Sequence, residues 1–355
     1  MYRNTFVEIN LSNLDYNVRT LINRYKDYKY FFGVVKADCY GHNGISVVKT
    51  ILDAGCNYLA VATLDEALTI RKELRDVPIL CLGIVDVKYI DLCIKNNITI
   101  TISSLDYLNK INNLKIQNNK LKVHIKIDTG MNRLGVNNSS ELTQIYNILK
   151  KNNFILEGLY THIYNATNKN DTIKQYETFE KITNTIDLEQ IPIIHVGASE
   201  ATEFYKKRTY ANGCRLGISM YGLIDYDDID LKSTFSLHSE IIQINEVENS
   251  TVGYNGAYKV NGKERIAIVP IGYADGIIRK NTGRDVYINN KPYKIVGNVC
   301  MDMLFIKVDD SVKVGDKVDI IKDINHIKQI AKHLDTITYE VTCSISKRVP
   351  RVYKK

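Results

Sequence analysis

The sequence predicts an α/β fold, a (β/α)8 barrel of the TIM type followed by a second, mostly β domain. Two observations carry this. Between about residues 30 and 225, eight short apolar runs alternate with segments of helical periodicity, the pattern of a closed parallel barrel. Past about residue 232 the pattern changes to short β-rich segments separated by Gly, Asn and Asp turns. A third observation removes the main competitor: no Gly-x-Gly-x-x-Gly follows the first strand, as an open dinucleotide-binding sheet would require.

The barrel strands are expected at 31–35, 58–62, 79–82, 98–102, 122–127, 155–160, 191–195 and 214–216, most of them rich in β-branched, leucine or aromatic residues. Helical patterns lie between most of them, for example at 64–68, 140–149 and 171–186. In the second domain, strands are expected at 235–244, 265–269, 285–288, 293–299, 304–308 and 317–321. The extended opening Thr5-Phe6-Val7-Glu8-Ile9 is expected to add a strand there, making that domain discontinuous. The resulting boundaries are 10–232 for the barrel and 233–355 for the β domain, joined by a strand within 1–9.

A chain of 355 residues can build two domains with real cores. No apolar run approaches the roughly 18 to 20 residues of a membrane span, and from the polar start Met1-Tyr2-Arg3-Asn4 no signal peptide is expected. A cytoplasmic location without membrane partners is expected. The seven cysteines, at 39, 56, 81, 93, 214, 300 and 343, are scattered with no Cys-x-x-Cys pair, which points to reduced, partly buried thiols and away from a metal site. The net charge of +7 is spread without a basic block, so no nucleic-acid partner is expected, whereas an anionic ligand is compatible.

Lys36 is the most informative residue. It ends the run Tyr30-Phe31-Phe32-Gly33-Val34-Val35, so it falls at the C-terminal end of the first barrel strand, where α/β barrels place their active sites. A lysine amine can form a Schiff base with an aldehyde, and desolvation makes it a nucleophile or base. Most strand-end lysines simply reach solvent, but Tyr40, four residues on, weakens that reading. If the chain turns into a helix after Gly41, the Tyr40 hydroxyl can face the same cleft and donate to an anion.

Several blocks in order along nearly the whole chain resemble the signature blocks of the alanine racemase family. They are Val34 to His42 around Lys36, Lys126-Ile127-Asp128-Thr129-Gly130-Met131-Asn132-Arg133-Leu134-Gly135, Arg215-Leu216-Gly217-Ile218-Ser219-Met220-Tyr221-Gly222, Ile271-Gly272-Tyr273-Ala274-Asp275-Gly276, and Cys300-Met301-Asp302. Glu157-Gly158-Leu159-Tyr160-Thr161-His162 and the tail residues Tyr339-Glu340 and Arg348-Val349-Pro350-Arg351 add to the likeness. The resemblance implies a fold-type III pyridoxal 5'-phosphate enzyme. Its implied activity is two-base racemisation of L-alanine to D-alanine for peptidoglycan, by a head-to-tail homodimer with shared active sites.

By that resemblance Lys36 carries the cofactor as a Schiff base and serves as one catalytic base. Tyr254, in Val252-Gly253-Tyr254-Asn255-Gly256, matches the second base and would come from the other subunit. Lysine and tyrosine have ordinary pKa values of about 10.4 and 10, so an alkaline rate optimum is expected. Tyr40, Ser199, Tyr339 and the backbone at Gly217 and Ile218 match the phosphate holders; the last two follow the eighth strand, where barrels often bind anions. Arg215 matches the arginine that hydrogen-bonds the pyridine nitrogen, with His162 expected nearby. Arg133 and the backbone N–H of Met301 match binders of the substrate carboxylate. Lys126 matches a lysine often carbamylated, which would fix Arg133 by a charge-assisted hydrogen bond. Asp302 is expected to orient the neighbouring loop, and Tyr273, with Tyr339, to narrow the substrate entrance.

Some positions depart from the commonest family pattern. Ala198 stands where asparagine usually precedes the phosphate serine, and Glu200 where a small residue is common. Asn298 replaces a channel arginine, Thr167 its acidic partner, and Asn255 a glycine after the catalytic tyrosine. Losing both charges together is coherent, since an unpaired one would be costly. These changes leave a serine-preferring or broad-specificity amino-acid racemase as the alternative. A non-catalytic pyridoxal phosphate carrier should lack the β domain and Tyr254, and a fold-type III decarboxylase should have an acidic residue in place of Arg215.

Overall fold

In the computed structural model, which describes residues 2–114, 116 and 120–355, the chain divides into two units. One comprises Val18–Cys39 and Val48–Gly217, the other Met1–Asn17, Tyr40–Val47 and Ile218–Lys355. Of the opening segment 1–9, Met1 lies outside the described residues.

Strand β1 (Phe6–Asn10) belongs to the second unit, and the next eight build the first. They are β2 (Tyr30–Val34), β3 (Tyr58–Val61), β4 (Ile79–Cys81), β5 (Ile98–Ile102), β6 (Lys122–Lys126), β7 (Ile155–Tyr160), β8 (Ile193–Ala198) and β9 (Gly213–Leu216). All pair in parallel, and β9 returns to β2, with Tyr30 opposite Gly213 and Gly33 opposite Leu216, which closes the barrel. The strands are mostly apolar because a parallel barrel covers both faces; every residue of β3, β4 and β5 is buried. Rings fill the interior. Phe32 stacks on His195 at 4.3 Å and on Tyr58 at 4.5 Å, and Tyr160 lies 4.7 Å from His195 with the rings 7° from parallel. The barrel is thus a packed core, and reactive groups are left to its ends.

Among the described residues, the α-helices up to residue 204 are α1 (Leu11–Arg24), α2 (Lys36–Tyr40), α3 (Ile45–Asp53), α4 (Leu64–Glu73), α5 (Ile90–Lys95), α6 (Leu105–Asn112), α7 (Ser139–Lys151), α8 (Lys169–Thr183) and α9 (Ser199–Phe204). Their starts follow from local chemistry. Thr63 and Glu66 form a reciprocal capping box at α4, while Ser104, Asn138 and Asn168 accept the orphan N–H groups of α6, α7 and α8.

Segment α2 differs from the expected helix after Gly41. Ala37, Asp38, Cys39 and Tyr40 all have φ of 51–55°, so the chain leaves Lys36 in a left-handed turn, and the right-handed helix starts only at Ile45. At about 1–2 kcal/mol per residue, four successive left-handed non-glycine residues cost on the order of 4–8 kcal/mol. Ala37 N–H donates to Glu66 Oε1 at 2.7 Å, and Cys39 N–H to Val35 O at 3.1 Å. The Gly41 carbonyl, where the turn ends, accepts two bonds from Arg351 at 3.0 and 3.1 Å.

The second unit holds a nine-stranded sheet that β1 enters near one edge. The others in chain order are β10 (Phe235–Glu240), β11 (Gln243–Glu248), the two-residue strands β12 (Thr251–Val252) and β13 (Tyr258–Lys259), which form a separate hairpin, β14 (Lys263–Val269), β15 (Asp285–Ile288), β16 (Lys291–Val296), β17 (Leu304–Val308), β18 (Lys317–Ile321) and β19 (Arg351–Lys354). β1 runs antiparallel to β10 and parallel to β19. The single strand expected at 235–244 is two: β10 pairs with β1 and β18, β11 with β14, and the chain changes partners at Ile241 and Ile242. Residues 235–244 carry apolar side chains on both sides of the switch, so their composition does not reveal it. Two helices also interrupt the β pattern, α10 (Ile324–Leu334) and α11 (Thr338–Cys343). In α10, buried Ile327, Ile330 and Ala331 recur at helical spacing behind the Asp323 cap.

Candidate active site

In the barrel unit, chemically able side chains gather at the C-terminal ends of strands. Lys36 follows β2, Lys126 ends β6, His162 follows β7, Ser199 follows β8, and Arg215 lies on β9. Arg133 sits on the loop after β6, which is folded around Asp128. That carboxylate accepts the backbone N–H groups of Gly130, Asn132 and Arg133 at 2.8–3.1 Å. Burial alone would raise the Asp128 pKa, but these three bonds and the Lys126 charge outweigh it and hold it below the usual carboxylate range.

Arg215 is buried, with 3 % of its surface exposed, and carbonyls rather than a carboxylate hold it. Its Nη1 donates to His195 Nδ1 at 2.8 Å and His195 O at 2.7 Å, and its Nη2 to Thr161 O at 2.7 Å and more weakly to His162 Nδ1 and Val196 O at 3.4 Å. Nε–H has no acceptor among the described residues. Burial lowers the guanidinium pKa to about 10, so it remains a cation near neutrality.

His162 reports on the charges around it. Burial first, then Arg215, Arg133, Lys126 and Lys36, push its pKa down to about 3, so the ring is neutral. Since Arg215 can only donate, His162 Nδ1 is the acceptor. Lys126 donates to Ile127 O at 2.8 Å and lies 5.5 Å above the Tyr160 ring. Burial and the Arg215 charge, then Arg133, against the pull of Asp128, bring its amine to about 7.

Gly217 follows β9 directly, and Ser199 opens α9 with φ of 28°. In the second unit, Tyr40 packs at 5.0 Å from Tyr221 and 6.2 Å from Tyr339. Burial, with Cys343 and Tyr339 beside it, raises its pKa, so the phenol keeps its proton as a donor.

The remaining residues singled out in the sequence also lie in that unit. Tyr254 is 68 % exposed on a turn between β12 and β13 formed by Gly253, Asn255 and Gly256, all at positive φ. Asn298 donates to the Tyr254 carbonyl at 3.0 Å. Tyr273 N–H donates to Cys300 O and Ala274 N–H to Met301 O, both at 3.0 Å, so the Tyr273 and Met301 loops are stitched together. Asp302 accepts from Arg348 at 2.8 Å.

Sequence reasoning missed the supports. Asp275, fully buried, takes a two-pronged bond from Arg3 at 2.8 and 3.0 Å and also accepts Gly272 N–H at 3.1 Å, which holds the turn bearing Tyr273. Arg348 approaches the same carboxylate at 3.6 Å. Also missed were His124, His195 and Glu157 in the barrel; polar residues inside otherwise apolar strands were the available signal.

Comparison with known proteins adds family information. The family description "Alanine racemase, N-terminal domain" matches residues 9–225, and "Alanine racemase, C-terminal domain" matches 234–353. The chain is 40% identical to the alanine racemase of Anoxybacillus flavithermus, over 100% of this chain and 96% of that one. Its fold is similar to the crystal structure of alanine racemase from E. faecalis, with a TM-score of 0.94, 32% identity and 99% of both chains covered. It is also similar to alanine racemase from Bacillus anthracis solved with bound L-Ala-P, with a TM-score of 0.93, 33% identity, and 100% of this chain and 96% of that chain covered.

Proposed function

Since the chain belongs to the alanine racemase family and is an amino-acid racemase, we propose that it interconverts L- and D-alanine with pyridoxal 5'-phosphate, using two bases on opposite faces of the substrate Cα. The observation that carries this reading is the set of four cationic side chains, Lys36, Lys126, Arg133 and Arg215, whose charges converge on half-buried His162. Such a cluster calls for anions. A cofactor phosphate and phenolic oxygen and a substrate carboxylate would supply them. Arg215 Nε–H suits the ring nitrogen, an acceptor, and a guanidinium is too weak an acid to protonate it. When bound, the cofactor supplies an aldehyde that captures an amino group and a conjugated ring that draws electrons from Cα.

In this reading Lys36 Nζ takes or returns the proton on one face, and Tyr254 Oη does so on the other. The hydroxyls of Tyr40, Ser199 and Tyr339 and the N–H groups of Gly217 and Ile218 hold the phosphate. Arg133 and the Met301 N–H orient the substrate carboxylate, while Tyr273 and Tyr339 favour a small side chain. An amine with a pKa of about 7 is partly neutral at physiological pH and can add CO2, so Lys126 is assigned as a carbamate that anchors Arg133. Tyr254, exposed in one chain, is suited to serve a second copy, making the enzyme a homodimer with shared sites. The reading extends to a cytoplasmic enzyme supplying D-alanine for peptidoglycan.

Subunit mixing tests it. Lys36→Ala and Tyr254→Phe should each abolish racemisation, with Tyr254→Phe still taking up cofactor, and unfolding and refolding the two together should restore activity through hybrid dimers carrying one intact site. Failure of the mixture to regain activity, with both variants folded and dimeric, would reject shared sites. The ratio of kcat/KM for L-Ala over L-Ser separates alanine from serine preference.

A further inference from the structure

The hydrogen bonds of Arg215 continue away from the cationic cluster, through the barrel interior. A guanidinium only donates, so His195 Nδ1, 2.8 Å from Nη1, must accept. His195 is fully buried and kept neutral by burial and by the Arg215 charge, so its single proton is on Nε2. That nitrogen lies 3.0 Å from His124 Nδ1, which must accept in turn. His124 is fully buried, burial lowers its pKa, and its proton is therefore also on Nε2.

His124 Nε2 faces Glu157 Oε2 at 3.4 Å. This contact is electrostatic rather than an aligned hydrogen bond, and it leaves Nε2–H without another acceptor. Glu157 Oε2 also accepts from Tyr58 at 2.5 Å and Thr99 at 3.0 Å, and Lys122 Nζ lies 3.8 Å from Oε1. Burial alone would raise the Glu157 pKa, but the His124, Tyr58 and Thr99 contacts outweigh it and hold it at about 2. The residue is a carboxylate. It lines a cavity of about 390 Å³ with Tyr30, Ile155 and Ile193, the first residues of β2, β7 and β8. The row thus runs from the N-terminal mouth of the barrel to Arg215 near the other end.

We propose that Glu157 is a positioning residue for Arg215: the donor-only guanidinium sets the direction of the row, and the Glu157 charge, received through two neutral imidazoles protonated on Nε2, supports that direction and holds the guanidinium charged and oriented. Arg215 has no carboxylate within ion-pair distance among the described residues, so this relayed charge is its stabilising partner. Reversing the row would put an N–H of His195 against an N–H of Arg215, leaving both buried donors unmade. The consequence for catalysis rests on the reading that Arg215 meets the cofactor's ring nitrogen; the direction of the row does not.

Neutron diffraction from perdeuterated holoenzyme crystals tests the direction. Deuterium is expected on Nε2 of His124 and His195 and absent from Nδ1 of both; deuterium on either Nδ1 overturns the proposal. Kinetics and spectra test the positioning role. Glu157→Gln should lower kcat about tenfold, as loss of an outer supporting group typically does at ligand-holding histidines, with KM nearly unchanged and a shifted absorbance of the bound cofactor. Glu157→Asp, which keeps the charge, should retain most of kcat, and so should Tyr58→Phe, which removes a neighbouring contact but no charge. Equal losses in Glu157→Gln and Tyr58→Phe, or wild-type kcat and absorbance in Glu157→Gln, would reject positioning by charge.

Discussion

Gly158→Ala perturbs the barrel interior at a point where the response can be worked from contacts. Gly158 on β7 pairs with His124 on β6, just where the register shifts between Val123 and His124. A Cβ there would lie 2.4 Å from His124 Cε1, 2.5 Å from Nδ1 and 2.8 Å from Nε2, all inside van der Waals contact. The ring cannot swing aside, because Phe32, Tyr58, Tyr160 and His195 surround it and its Nδ1 accepts from His195. Overpacking of a rigid core costs about 1–3 kcal/mol. The immobile ring places this case in the upper half of that range, which lowers the melting midpoint of a barrel-sized domain by roughly 4–12 °C. The assay is thermal unfolding followed by circular dichroism, with the same substitution repeated in a His124→Ala background. Removing the ring should abolish the penalty, since the new methyl then enters the space the imidazole left. An equal loss in both backgrounds, or no loss in the first, would refute the assigned clash.

Two further outcomes follow from the site. The folded-state pKa of Lys126, about 7, lies below the usual lysine value near 10.5, so between these pH values the unfolded chain binds a proton that the folded chain does not, and stability rises with pH. Lys126→Met should therefore raise the urea midpoint in CO2-free buffer at pH 6 and leave it nearly unchanged at pH 10.5; equal gains at both would contradict the burial penalty. Asn298→Ala removes the bond to the Tyr254 carbonyl. At about 1 kcal/mol, its loss should reduce kcat up to roughly fivefold with KM little changed, and steady-state kinetics with unaltered kcat would show that the turn holds without it.

The barrel was legible because a closed parallel sheet buries both strand faces, so its strands are written as short, mostly apolar runs alternating with helical segments. Lys36 was legible too, as a cation closing such a run, whereas Lys126 and Arg215 stood out only through the family resemblance. The left-handed turn after Lys36 was not: Ala37, Asp38 and Cys39 carry no glycine to announce it, and their conformation is held from outside by groups such as Glu66. Nor was the row from Arg215 to Glu157. Residues 58, 99, 124, 157, 195 and 215 meet only because the barrel closes, and no local spacing encodes that closure. The break between β10 and β11 failed for a related reason, since a change of strand partner leaves no mark in hydrophobicity. By contrast α10 had a readable helical period that the surrounding β pattern masked.

In the proposed reaction, protons leave one face of the substrate Cα and return to the other. Incubating the holoenzyme with L-alanine in D2O, while following both optical activity and deuterium at Cα, measures this directly. Two-base racemisation gives decay to a racemic mixture, with deuterium appearing at Cα of the D-alanine formed. Release of CO2, or the absence of both Cα exchange and inversion, would contradict it.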